Sequence, residues 1–260
     1  MTIFLQYSQA LLVVVILMTG LWLVSILLKN VSIVDLFWGL GFAVLGWFYY
    51  TRGGGLEARK ILVTVLVTLW GLRLCVYLTW RNYGKGEDFR YKQFRKDYGE
   101  ERYWWISYFQ VFLLQGILMW LISSPLMGAQ FYGQGKGLGV LDAVGLFFWL
   151  IGIAFEAGGD FQLARFKSDP ANKGKVLDTG FWRYTRHPNY FGDACVWWGY
   201  AFLSMAAGGY LPVLGSILMT ALIIKVSGVS LLEKSLRSTK PQYAEYVKKT
   251  SAFIPWFPKK

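Results

Sequence analysis

Long apolar runs separated by short polar stretches dominate the chain. They read as residues 5–28, 31–50, 61–80, 106–127, 141–155, 189–205 and 211–232. A helix that crosses a bilayer needs about 20 mostly apolar residues, and only helices or closed barrels satisfy every backbone hydrogen bond in lipid. These runs are too long and continuous for barrel strands, whose residues alternate between lipid and lumen. The pattern predicts an all-α, polytopic membrane bundle of about seven transmembrane helices. The fifth and sixth runs are short, which suits tilted, broken or only partly lipid-facing helices. No internal repeat, low-complexity tract or linker divides the sequence, so residues 1–260 are expected to form a single transmembrane domain.

Composition agrees. Of 260 residues, 55% are hydrophobic and only 16% charged, where a soluble domain carries about a quarter. The first ten residues contain no Lys or Arg, so the first run lacks the basic start of a secretory signal and reads as a retained helix. The net charge of +12 could suggest nucleic acid, but its placement points to a membrane face. With seven spans, 21 Lys and Arg fall on one side and 4 on the other: Arg52, Arg59, Lys60 and Lys136. The positive-inside rule puts the rich side in the cytoplasm, the N-terminus outside and the C-terminus inside. A bacterial inner membrane is the expected location. Some of these cations would simply contact anionic lipid. Acidic residues are mixed among them, five in residues 81–105 and four in residues 156–188, which suggests folded loops with a ligand to bind.

Ionisable residues inside spans are costly and point to function. Asp35 lies a turn inside the cytoplasmic end of the second run and Arg73 about two turns inside that of the third. Asp193 opens the sixth, while Lys225 and Glu233 lie late in the seventh. Trp70, Arg73, Tyr77 and Arg81 share one helical face. The plainer reading of Asp35 and Arg73 is a structural ion pair between two helices. The glycine-rich string 133–139 follows no strand, as a phosphate loop would, and reads as a flexible connector outside the cell. With a single histidine and no ligand spacing around Cys75 or Cys195, no metal site is expected; both thiols read as buried and inert.

The most informative stretch is Leu177-Asp-Thr-Gly-Phe-Trp-Arg-Tyr-Thr-Arg-His-Pro-Asn-Tyr-Phe-Gly-Asp193, followed by Trp197-Trp198-Gly199. Gly180 permits a turn, and Pro188 can open a helix. The helix N-terminus with Arg183, Arg186 and His187 would make an anion site at the membrane surface. Tyr184, Tyr190 and the tryptophans offer flat faces to a heterocycle. A polyanionic nucleotide fits that chemistry.

Here the chain resembles the steroid 5α-reductase family, in particular its bacterial members. It shares the Arg-His-Pro-x-Tyr core with membrane sterol reductases and isoprenylcysteine carboxyl methyltransferases. The resemblance returns at Tyr246-Val-Lys-Lys-Thr-Ser-Ala-Phe-Ile-Pro255 and, more weakly, around Asp35 and between Trp70 and Tyr77. It implies a seven-helix bundle, NADPH bound from the cytosol, and reduction of a carbon–carbon double bond conjugated to a ketone. The substrate would be a small, hydrophobic, steroid-like enone entering from the lipid. Matched residue by residue, the nucleotide contacts would be Asp160, Lys167, Lys175, Arg186, His187, Asn189, Tyr190 and Asp193. Arg165 is a neighbouring phosphate candidate, and Arg81 and Asn82 stand after the third helix where the family has an Asn and an Arg. Lys stands at two positions where the steroid enzymes carry Arg, which keeps charge but loses the bidentate fork.

The implied mechanism places negative charge on the carbonyl oxygen, so a donor must stabilise it and a proton must follow at the α-carbon. The resemblance implies a carboxyl group and a tyrosine at that carbonyl. Asp35 matches the carboxyl group, and Arg73 shares its end of the bundle. Trp70 stands at the tyrosine position, with Tyr77 the nearest hydroxyl on the same face. Two other classes remain: a methyltransferase using S-adenosylmethionine, and a membrane protein without catalysis.

Overall fold

The computed structural model describes residues 2–135, 137–227, 233 and 242–259. Among these residues the protein is all-helical, with no strand beyond one isolated bridge between Thr185 and Ser251. It forms two compact units, Met1–Leu138 with Ser204–Pro212, and Gly139–Leu203 with Val213–Lys260.

In the first unit, α1 (Ile3–Leu28) starts where the Thr2 hydroxyl accepts from the Leu5 amide, and ends at Lys29, which adopts a left-handed conformation. Leu12, Ile16 and Leu27 on its surface are 60, 64 and 83% exposed. So much exposed apolar surface is the mark of a helix that faces lipid. The expected second span is interrupted at Phe37 into α2 (Ile33–Leu36) and α3 (Trp38–Arg52). Next come α4 (Glu57–Asn82) and the short, polar α5 (Phe89–Tyr98), capped by Asp88. A continuous helical stretch follows as α6 (Glu100–Ser107), a π-turn (Tyr108–Leu113), α7 (Leu114–Ile122) and α8 (Ser124–Phe131).

α3 and α4 cross where two glycines meet. A Cβ on Gly39 would lie 2.8 Å from the Gly71 carbonyl oxygen, so both positions need glycine. Apolar burial gains little between helices in lipid, and small residues that admit close packing take its place.

The second unit repeats this device on a larger scale. It holds α9 (Val140–Ser168), α10 (Phe181–Tyr184), most of α11 (Pro188–Ala207), α12 (Leu214–Ala221) with a π-turn behind it, and α13 (Tyr243–Lys249). On α9, Gly145 and Gly152 face Gly199 and Gly192 of α11. Hypothetical Cβ atoms at these sites would come within 2.5–2.8 Å of the opposing carbonyl oxygens. The order of the pairs makes the two helices antiparallel.

Among the described residues, four helical stretches are long and apolar enough to cross a membrane: Ile3–Leu28, Glu57–Asn82, Glu100–Phe131 and Val140–Ser168. α3 is 15 residues long. α11 has the length but carries Asn189, Asp193 and glycines. The last expected run is apolar over Leu211–Lys225, and its end lies outside the described residues except for Glu233. The largest boundary difference is at α9, which runs 13 residues past the expected end at Phe155. Its polar second half looked like a loop, but no breaker occurs before Asp169-Pro170. Gly158 and Gly159 are tolerated there because Phe181 and Pro188 pack against them.

Candidate functional site

The first unit gathers polar groups around Asp35, in the last turn of α2. The Asp35 Oδ2 accepts from Arg90 Nη2 at 2.8 Å, and Oδ1 accepts from the Tyr91 hydroxyl at 2.8 Å. Gln115 on α7 donates to the same Tyr91 oxygen at 3.3 Å. The partners come from the start of α5, which Asp88 fixes. Its carboxylate caps the helix and pairs with Arg90 at 3.0 Å, while its own amide donates to the Ser32 hydroxyl at 2.8 Å. Beside it, Glu87 accepts from the Val31 amide at 2.8 Å and from Arg95 at 2.9 Å. The α1–α2 turn and the α4–α5 loop are thereby stitched together, which holds Asp35 against Tyr91.

Tyr91 is 5% exposed, whereas the Asp35 side chain is 26% exposed. Burial, with Asp35 adding to it, pushes the Tyr91 hydroxyl well above the usual phenol range, so it stays a donor. The sequence offered Trp70 and Tyr77 for this role. Trp70 is fully buried and packs against Phe42, with ring centroids 5.9 Å apart. Tyr77 lies between two guanidinium groups, Arg73 at 5.5 Å and Arg81 at 5.7 Å from its ring. Asn82 lines a cleft of about 430 Å³ with Asn30, Ser32 and Lys85.

In the second unit, the loop before α11 is pinned to the extended half of α9. The Phe181 amide donates to Gln162 at 3.0 Å, the Trp182 indole to the Gly159 carbonyl at 3.1 Å, and Asn189 to Asp160 at 3.3 Å. Gly180 takes φ 60° to make the turn, and Pro188 opens α11. Asp160 is buried, and Lys167 follows it two turns later on the same stripe. Arg165, Lys167 and Lys175 are exposed, while Asn189, Tyr190 and Asp193 are half-buried.

Arg186 and His187 differ sharply. Arg186 Nε and Nη2 donate to Glu233 at 2.8 and 2.5 Å, and Nη1 donates to the Val247 and Thr250 carbonyls. Its backbone amide donates to Ser251 at 2.9 Å. This guanidinium holds the C-terminal segment to the unit. His187 is 1% exposed and stacks on Tyr190 with centroids 5.6 Å apart, and its Nδ1 makes no hydrogen bond among the described residues. Its Nε2 stands 3.5 Å from Glu233. Burial lowers the imidazole to about 4, the Glu233 charge opposing more weakly, so it is neutral near pH 7. With this carboxylate beside Nε2, it is the buried Nδ1 that is left unsatisfied among the described residues, which is costly. At the α11 N-terminus His187 and Tyr190 stand together, and Arg165, Lys167 and Lys175 are exposed within the same unit. Arg186 is already engaged. Among the described residues no group of acidic, Cys and His side chains could hold a metal, and both cysteines are free.

Among known proteins, the chain is 27% identical over 260 aligned residues to an uncharacterized protein of Schizosaccharomyces pombe, a match that covers 90% of this chain and 75% of that protein. No solved structure matches. Residues 21–250 match the family described as "Protein of unknown function (DUF1295)". The match spans most of the sequence, and the chain belongs to this family, which is steroid 5α-reductase-like in general.

Proposed function

We propose that the protein is an NADPH-dependent membrane reductase of a carbon–carbon double bond conjugated to a ketone, acting on a small, hydrophobic, steroid-like enone taken from the lipid. The contact between Asp35 and Tyr91 carries this reading. It pairs a carboxyl group with a buried, protonated hydroxyl, the two groups that an enone carbonyl requires. When bound, NADPH supplies a hydride. Tyr91 then donates a hydrogen bond to the carbonyl oxygen, oriented by Gln115 on its own oxygen. To do so Tyr91 turns its single proton from Asp35 to the carbonyl oxygen and gives it up as the enolate forms. The Asp35 carboxylate, balanced by Arg90, takes a proton from solvent and returns it to the phenol oxygen, and the enol tautomerises to the ketone. His187, Tyr190, Asn189 and Asp160 would hold the nucleotide, with Arg165, Lys167 and Lys175 toward its phosphates.

The same reading gives seven spans, with α2–α3, α11 and the α12 stretch crossing the membrane in addition to the four long helices. The N-terminus is outside, the C-terminus cytoplasmic, and the site opens to the cytoplasm of a bacterial cell. The lysine and arginine asymmetry supports it. A reporter active only in the cytoplasm should work after Lys260 and fail at Gly54 or Gly135; activity at Gly135 would break the topology.

The functional test is a thermal shift of detergent-purified protein with NADPH, NADH and S-adenosylmethionine, because a ligand that binds only the native state stabilises it with concentration. NADPH should give the largest shift, since its 2′-phosphate seeks cations. A shift with S-adenosylmethionine alone would turn the reading toward methyl transfer. Turnover of a 3-oxo-Δ4 steroid with NADPH completes the test.

A further inference from the structure

The C-terminal segment presents an unusual surface. Ile254, Trp256 and Phe257 are 65, 70 and 75% exposed, although their backbone is firmly tied. The Trp256 amide donates to the Tyr184 carbonyl at 2.9 Å, the Lys259 amide to Lys249 at 2.9 Å, and the Thr185 hydroxyl to Phe253 at 2.9 Å. The Tyr246 hydroxyl donates to the Trp182 carbonyl beneath. The Phe257 ring meets that of Tyr184 at 6.1 Å. A loose tail could hide its apolar side chains; this one is held so that three large ones face outward.

The cations around them are Arg183, Lys248, Lys249 and Lys259, all exposed. Glu245 and Asp178 are the exposed acids on the neighbouring backbone. Aromatic rings among lysines suit the headgroup layer of a bilayer, where amphipathic rings collect and basic segments meet anionic lipid. Protein interfaces are instead depleted of lysine.

We propose that this folded-back segment, residues 248–259, is a docking surface for anionic phospholipid headgroups. Ile254, Trp256 and Phe257 enter the interface, and the three lysines with Arg183 meet phosphate oxygens. The segment is joined to Arg186 through the Thr250 and Ser251 carbonyls. Lipid contact would therefore steady the loop that leads into α11. The proposal is independent of the reductase reading.

The test uses the full chain in nanodiscs, with a nitroxide at Trp256→Cys in a background lacking Cys75 and Cys195. Insertion and melting temperature must match the unlabelled parent; Ile254→Cys serves as the second site if they do not. In phosphatidylcholine doped with phosphatidylglycerol, the label should be accessible to oxygen and shielded from a water-soluble nickel chelate. Pure phosphatidylcholine, or Lys248→Glu with Lys249→Glu and Lys259→Glu, should shift it toward water. A label open to the chelate in anionic discs would overturn the proposal. So would one that ignores both lipid charge and the reversal, or one shielded from oxygen and nickel chelate alike, which would mean a protein partner or a second copy.

Discussion

Asp35 and Arg186 are both charged residues at the margin of apolar helices, and each stands in an ion pair. The Asp35–Arg90 pair keeps 26 and 48% of its side chains exposed, and a buried tyrosine hydroxyl shares the carboxylate. In the Arg186–Glu233 pair these figures are 7 and 14%, and the remaining guanidinium donors go to backbone carbonyls. One cluster keeps polar atoms that a ligand can reach. The other uses its atoms to hold the chain. A basic residue inside a recognised motif is thus no proof of a ligand contact, whereas the neighbouring His187 keeps a buried Nδ1 that makes no hydrogen bond among the described residues.

The sharpest way to break this comparison is at Tyr91. Tyr91→Phe removes the hydroxyl and little else. If it is the donor at the carbonyl, enone turnover should fall by about 10²–10⁴-fold, the usual range for a positioned acid. Stability should fall by about 2–4 kcal/mol, for the hydrogen bond to the Asp35 carboxylate and the one from Gln115. Nucleotide-induced thermal shifts should persist. Undiminished turnover would remove Tyr91 from the chemistry.

Arg186→Ala should act in the opposite sense. It leaves Glu233 mostly buried without its cation, and breaking such a pair costs about 3–5 kcal/mol. The melting temperature should fall, and Arg186→Ala with Glu233→Gln should recover part of it. If Arg186→Ala melts like the parent and loses only NADPH binding, Arg186 belongs with the ligand contacts after all.

Asp35→Asn sharpens the first cluster. The amide can still accept from Tyr91, and the Arg90 pair is half-exposed, so the loss of stability should stay within about 1 kcal/mol. Turnover should drop because the proton path through the carboxylate is gone. A large loss of stability with full turnover would make Asp35 a fastener like Arg186.

The sequence revealed these regions unequally. Hydropathy marked α1, α4 and the 100–131 stretch because lipid demands long apolar helices, and the cost of an ionisable group in a span marked Asp35. The polar half of α9 was misleading, since charge and glycine resemble a loop when the packing of Phe181 and Pro188 is unseen. Tyr91 lies 56 positions from Asp35 on a polar loop helix. Its one local signal was the Asp88 cap, which predicts a helix start but not what that helix touches. Glu233 stood out as a charge in an apolar run, yet its pairing with Arg186 across 47 positions belongs to tertiary structure.

The smallest effect tests the contrast within the Arg-His pair. The His187 imidazole is lowered by burial from its usual 6.5 to about 4. In the unfolded chain it takes up a proton as pH falls through 6.5, whereas the folded protein resists until about 4. The unfolded state therefore binds more protons across this window, and stability must fall as pH falls. Above 6.5 both states are neutral and the contribution is flat; below 4 both are protonated and it is flat again. His187→Gln cannot titrate and should abolish this part of the pH dependence while still offering one donor and one acceptor to a ligand. Comparing melting temperatures of parent and variant between pH 7 and pH 4 reads the difference directly. NADPH, by hydrogen-bonding the neutral ring, should hold off its protonation further, so that the parent's fall in stability still begins near pH 6.5, where the unfolded chain titrates, but continues below pH 4. If parent and variant lose stability in parallel, the ring is already protonated or bonded in the folded protein, and its claim as the group kept for the ligand lapses.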